Sequence, residues 1–248
     1  MEKGIHIALA PEVITTFLGI PVTNTLITSL IVTVLLSVVA IVVGKRLTLL
    51  PGRLQVGFEM LISFIFTYIE ETLESKELAR RYFPLIATMF LFIFTANILE
   101  FLPGIGSLGI IKEEGHSLIP LFRSVNTDLN VTIALGLIAF GTIELSGIFL
   151  IGFFKYAGKF LNFRSFMGFF IGIIELFSEM ARLVSFSFRL FGNIFAGEVM
   201  ITVVTFFVPV VLPVPFMLFE VFVGFIQAAI FSLLTLYFVK IAVVEEVH

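Results

Sequence analysis

Between Phe166 and Phe207 the chain runs for 42 residues without a proline, and apolar side chains fill nearly all of it. Such a run predicts one continuous helix, about 63 Å long at ~1.5 Å per residue. That is about twice the ~30 Å hydrocarbon core of a bilayer. Yet its centre, Ile174–Met200, carries Glu175, Glu179, Arg182, Arg189 and Glu198. An ionised arginine in the middle of a lipid-embedded helix costs about 3 kcal/mol on insertion scales and ~10 or more in simulations. A chain sustains that cost where the charge faces another protein surface or a water-filled path.

At about 100° per residue, Glu175, Arg182 and Arg189 share one stripe, with Glu179 and Asn193 alongside. Glu179 and Arg182 are spaced to pair as i,i+3 neighbours. Arg189 has Ser185, Phe186, Gly192 and Asn193 at those distances and no carboxylate, so its counter-charge must come from elsewhere. Glu198 is turned about 180° away from Arg189. The helix therefore has two polar faces that do not see each other.

Hydrophobic residues make up 59% of the 248, above the ~45–50% of soluble domains, and one membrane-embedded domain accounts for the length. The chain has no cysteine, which excludes disulfides and thiolate metal sites. His6, His116 and His248 fall outside the apolar runs with no acidic cluster at ligand spacing, so no metal and no cofactor is expected. There is no phosphate-binding glycine loop, nucleophile elbow or basic patch for nucleic acid. Taken alone, the chain is not expected to be an enzyme.

The expected fold is an all-α polytopic membrane protein with about five crossings plus an interfacial helix. Residues 1–22, holding Pro11 and Pro21, form an outer N-terminal segment. Residues 23–44 make the first crossing, which doubles as the insertion signal. Residues 53–81 mix charges with Phe, Ile and Leu. They suit a helix lying at the interface better than a short crossing from Val56 to Ile69, because about 14 residues fall short of a bilayer. Crossings follow at 83–102, ended by Pro103-Gly104, and at 129–154, with Glu144 inside; its simplest role is an interhelical hydrogen bond. Residues 45–82 hold six Lys and Arg and residues 153–165 three, against one in 1–22 and two in 104–127. The richer side is cytoplasmic, which puts the N-terminus outside, the C-terminus inside and makes the count odd. Residues 166–244 are too long for two upright helices. A break at Gly192-Asn193 would make the count even, so a steeply inclined hairpin, turned by Pro209, Pro213 and Pro215, is preferred.

The segment SFRLFGNIFAGE at 187–198 resembles the signature of subunit a of F-type ATP synthases. The resemblance extends through 219–248 (FEVFVGFIQAAIFSLLTLYFVKIAVVEEVH), NILEFLPG at 97–104 and RSVNTDLNVT at 123–132, and covers most of the chain from about residue 80. It implies a proton-conducting stator subunit whose two long helices lie along a rotating ring of c subunits. A b-type peripheral stalk and the rest of the ATP synthase would be further partners. Arg189 would face a ring carboxylate and separate two offset half-channels. Glu198 and Glu220 would line the outer half-channel, Gln227 would lie beside Arg189, and Glu175 would line the inner one. Asn97, Glu100, Asn126 and Asp128 would frame the outer mouth. A bacterial plasma membrane is the expected location.

Plainer readings stand beside these. Glu198 and Glu220 could share one proton as a buried pair. Asn193 could support Arg189 or cap backbone near Gly192, and helix capping accounts for Asn126 and Asp128 nearly as well as a channel mouth. A secondary transporter would call for internal repeats and helices broken at the midplane. The chain shows no repeat and only the weak Gly192-Asn193 signal.

Overall fold

Hydropathy dictates the architecture, and caps and prolines trim it. The computed structural model describes residues 10–17, 19–45, 52–101, 109–111, 118–160 and 166–244. Its helices are α1 (Asn24–Lys45), α2 (Arg53–Leu73), α3 (Lys76–Leu99), α4 (Leu129–Ile151), α5 (Phe153–Phe160), α6 (Phe166–Phe207) and α7 (Pro213–Val244). Among the described residues, five of them (α1, α3, α4, α6 and α7) are long and apolar enough to cross a membrane. The chain is thus an all-α polytopic membrane protein. Pro103, Gly104, Arg46, Arg164, His6, His116 and His248 lie outside the described residues.

Several boundaries differ from the sequence reading. The stretch expected as one interfacial helix over 53–81 divides at Glu74, which takes a left-handed conformation at φ 55°, and α2 stops there. Ser75 then caps a new helix, its hydroxyl accepting from the Leu78 amide. The crossing expected from Phe83 therefore starts at Lys76 and ends at Leu99, and Pro84 does not interrupt it. The crossing expected over 129–154 ends at Ile151, because Gly152 turns to φ 90°, a conformation open to glycine. The expected turn prolines also divide their roles. Pro209 lies in the turn between α6 and α7, while Pro213 opens α7 and Pro215 sits in its first turn, where no intrahelical N–H bond is lost. α6 continues through Gly192 and Asn193.

Among the described residues, two short hairpins add to the helices. Strand β1 (Val13–Phe17) pairs antiparallel with β2 (Ile20–Thr23), and β3 (Gly109–Ile111) with β4 (Leu118–Pro120). The first is rich in β-branched residues and turns at Gly19, whose φ is 81°.

The core is built where α2, α3, α4, α6 and α7 meet, around Ile93, Ile143, Leu190, Ile194 and Leu236. Within lipid, close backbone approach supplies much of helix association. Small residues provide it at Gly136 against Ser187, Gly147 against Tyr156 and Gly224 against Asn97. By contrast, α1 buries only Asn24, Thr25, Thr28 and Val32, and leaves Leu30, Val34, Val38 and Ile41 on the surface.

On the α2–α3 side, Lys240 of α7 reaches Glu74 at 2.8 Å. That hydrogen bond and charge hold the exposed Glu74 carboxyl below the usual carboxylate range. Glu144 of α4 accepts a 2.9 Å hydrogen bond from the Tyr156 hydroxyl of α5, the interhelical role expected of it. Tyr156→Phe leaves a half-buried acid without this donor, and is expected to cost about 1–2 kcal/mol. Adding Glu144→Leu should recover most of the loss, because removing both partners of a buried pair is nearly neutral. Thermal unfolding in detergent checks both, and an unaltered midpoint in Tyr156→Phe would show that the bond contributes nothing.

Candidate functional site

Helical periodicity puts the charges of α6 on two faces, and packing gives each face different neighbours. On the first face Glu179 is 3% exposed and accepts a 2.7 Å bond from Arg182. The Arg182 guanidinium also stacks 4.0 Å above the Phe238 ring of α7, a cation–π contact that ties the two long helices together. Glu175 is half-buried one turn earlier.

Arg189 differs from Arg182, two turns earlier on the same helix. It is exposed, its Nη2 donates to Ser185 Oγ at 3.2 Å, and it makes no ion pair with a carboxylate among the described residues. Its hydrogen bond goes to Ser185 and not to Gln227, which is 7% exposed in α7. Asn193, one turn on, is also exposed. Around Arg189 the outer surface of α6 and its approach is Phe177, Met180, Val184 and Phe188, all exposed. A permanent cation thus stands on a greasy, uncovered helix face.

The second face meets acids from other elements. Glu220 of α7 is buried at 3% exposure, with its carboxyl lying directly over Gly197 of α6; a Cβ at that position would occupy the same space. Gly197 is therefore the gap that admits Glu220. Glu198, the next residue, reaches Arg123 at 4.0 Å. Glu100, immediately beyond α3, is electrostatically coupled to Glu198, Glu220 and Arg123, and neighbours Ser124. Three carboxyl groups and one guanidinium from four separate segments therefore converge. Oxygens of Glu100, Glu198 and Glu220 in this cluster are buried without a hydrogen-bond partner, a condition that favours proton sharing or water over an apolar lining.

Polar side chains beside the cluster are mainly structural. Asn97 donates to the Gly224 carbonyl at 3.0 Å and accepts from Asn126 at 2.6 Å, which joins α3, α7 and the approach to α4. Asp128 is the N-cap of α4, accepting from the Asn130 amide at 2.9 Å, and takes a 2.6 Å bond from the Thr25 hydroxyl of α1. Helix capping thus describes Asp128, while Asn126 is a bridge.

Sequence reasoning singled out the acids and missed two residues that set them. Arg123 was counted as loop charge, although it lies within RSVNTDLNVT. Gly197 left no signal beyond its position next to Glu198, because a close approach is invisible until the partner helix is placed.

The fold and charges define a polytopic helical membrane protein with ionisable groups held inside its bundle and Arg189 presented outward from the middle of α6. The family model described as ATP synthase A chain matches residues 25–240. Relatives named ATP synthase subunit a include one from Helicobacter acinonychis (strain Sheeba), 33% identical over 86% of this chain and 86% of its own length. Others come from Campylobacter jejuni (strain 81-176), 32% identical over 85% and 86%, and Moorella thermoacetica, 32% identical over 89% and 90%. The chain belongs to the ATP synthase subunit a family.

Gly197→Ala should leave the fold in place, because the displaced atoms are the far end of a flexible side chain. The expected result is a melting temperature within about 3 °C of the parent, with a shifted Glu220 carboxyl band in infrared difference spectra identified by its loss in Glu220→Gln. An unshifted band would place the carboxyl away from Gly197.

Proposed function

We propose that this chain is the proton-conducting stator subunit of a rotary ATP synthase in a bacterial plasma membrane, with its N-terminus outside and its C-terminus in the cytoplasm. One observation carries the reading: Arg189 stands exposed on an apolar helix face, bonded to Ser185 and to no acid among the described residues. A charge so placed calls for a carboxylate brought by another protein. A ring of c subunits supplies that carboxylate in turn, and a b-type stalk holds the stator against it.

Arginine suits the role because its guanidinium stays charged (pKa above ~12), whereas a desolvated lysine readily loses its proton. Its fixed charge favours the ionised form of a ring carboxyl alongside, and so prompts proton release. Glu100, Glu198 and Glu220 form the outer half-channel that loads the next ring carboxylate. Glu175 serves the inner half-channel that takes the proton away, with Gln227 and Asn193 as polar lining. Arg189 between them blocks direct leakage. Each proton crossing contributes about 2.3 kcal/mol per 100 mV, and nucleotide chemistry belongs to other subunits. The continuity of α6 and α7 favours this reading over a transporter with helices broken at the midplane.

Arg189→Lys is expected to abolish proton-driven ATP synthesis by the assembled enzyme in proteoliposomes, and synthesis at the parental rate would overturn the fixed-charge role. Glu220→Gln is expected to leave the complex assembled while slowing ATP-driven pumping several-fold. Unchanged pumping between about pH 6 and 9 would remove Glu220 from the path.

A further inference from the structure

The outer acid cluster contains a cation that the proton path as described does not use. Arg123 lies in the segment before α4, its side chain 9% exposed, with Nη2 4.0 Å from Glu198 Oε2. Its other arm, Nη1, donates to the Ala10 carbonyl at 2.8 Å, and its amide donates to the Thr28 hydroxyl at 3.3 Å. The backbone of Arg123 is thereby anchored to α1, and its guanidinium is held by the N-terminal segment on one side and turned toward α6 on the other. Glu198 comes from α6, Glu220 from α7 and Glu100 from the end of α3, so each of the packed elements presents one acid to this site. Among the described residues the other acids of these segments are Glu12, two residues beyond Ala10, and Asp128, bonded to Thr25 and Asn130.

We propose that Arg123 is a positioning residue of the outer path: it holds Glu198 toward Glu220 and Glu100 and sets the external pH at which this cluster gives up its protons. The inference rests on the proton-path reading above. Carboxyl groups that share one site oppose one another's ionisation. One fixed guanidinium reverses part of that, because an opposite charge within a few ångströms favours the ionised form. With Arg123 present the cluster can take a proton from outside and still pass it on. Without it, the cluster stays loaded to higher pH and passes protons on reluctantly.

The test measures ATP synthesis by the assembled enzyme in proteoliposomes as external pH is varied at fixed internal pH and membrane potential. In Arg123→Gln the half-maximal external pH should move to the alkaline side by about one unit, with a lower maximal rate. Arg123→Met, which fills similar space without charge, should move it in the same direction. Arg123→Lys, which keeps the charge, should return the profile to that of the parent. A parental profile in an assembled Gln or Met variant overturns the proposal, as does a Lys variant shifted as far as Gln. If neither neutral variant assembles, Arg123 is a structural anchor alone and the proposal falls. Glu220→Gln in the same assay separates the two readings. If its profile changes while that of Arg123→Gln does not, only the role of Arg123 fails; if neither changes, the outer path itself is wrong.

Discussion

Charge balance inside an apolar bundle governs this molecule. Arg182 is matched by Glu179 and capped by Phe238, and Arg123 is set against Glu198. Each of these pairs closes within the chain, as expected where an unpaired ion would carry the full cost of leaving water. Arg189 breaks the pattern. Its own helix offers it a hydroxyl, and the surface around it is phenylalanine, methionine and valine.

The rest of the bundle gives the two charged faces of α6 different neighbours. Small residues do this by letting backbones close. Gly136 admits Ser187 and locks α4 to α6, Gly224 admits Asn97 and locks α7 to α3, and Gly197 admits the carboxyl of Glu220. Hydrophobic burial cannot drive these contacts in lipid, so fit and interhelical hydrogen bonds carry them. The polar bridge through Asn97 and Asn126 adds a hydrogen-bonded brace beside the acid cluster.

Much of this was legible in the amino-acid order, and the misses have physical causes. Spanning helices announce themselves because lipid demands long apolar runs whose backbone is satisfied internally. The split at Glu74–Ser75 was missed because a polar helix and the start of the next crossing share the same mixed composition; only the left-handed Glu74 and the Ser75 cap divide them. The early end of α4 depends on one glycine conformation at Gly152. Prolines near 213 were read as turn residues, although a helix tolerates them in its first turn. The hairpins escaped notice because runs of three to five residues carry too little periodicity to register.

The sequence by itself determined the class, the five spanning-length helices, the continuity of α6 and the angular separation of Arg189 from Glu198. These follow from local rules: hydropathy, capping and a turn of about 100° per residue. Only the tertiary structure decided that Arg189 would be left outside, that Arg123 would meet Glu198, and that Glu220 would rest on a glycine. Those outcomes depend on which helix faces which, and that is fixed by contacts between small and polar residues far apart along the chain.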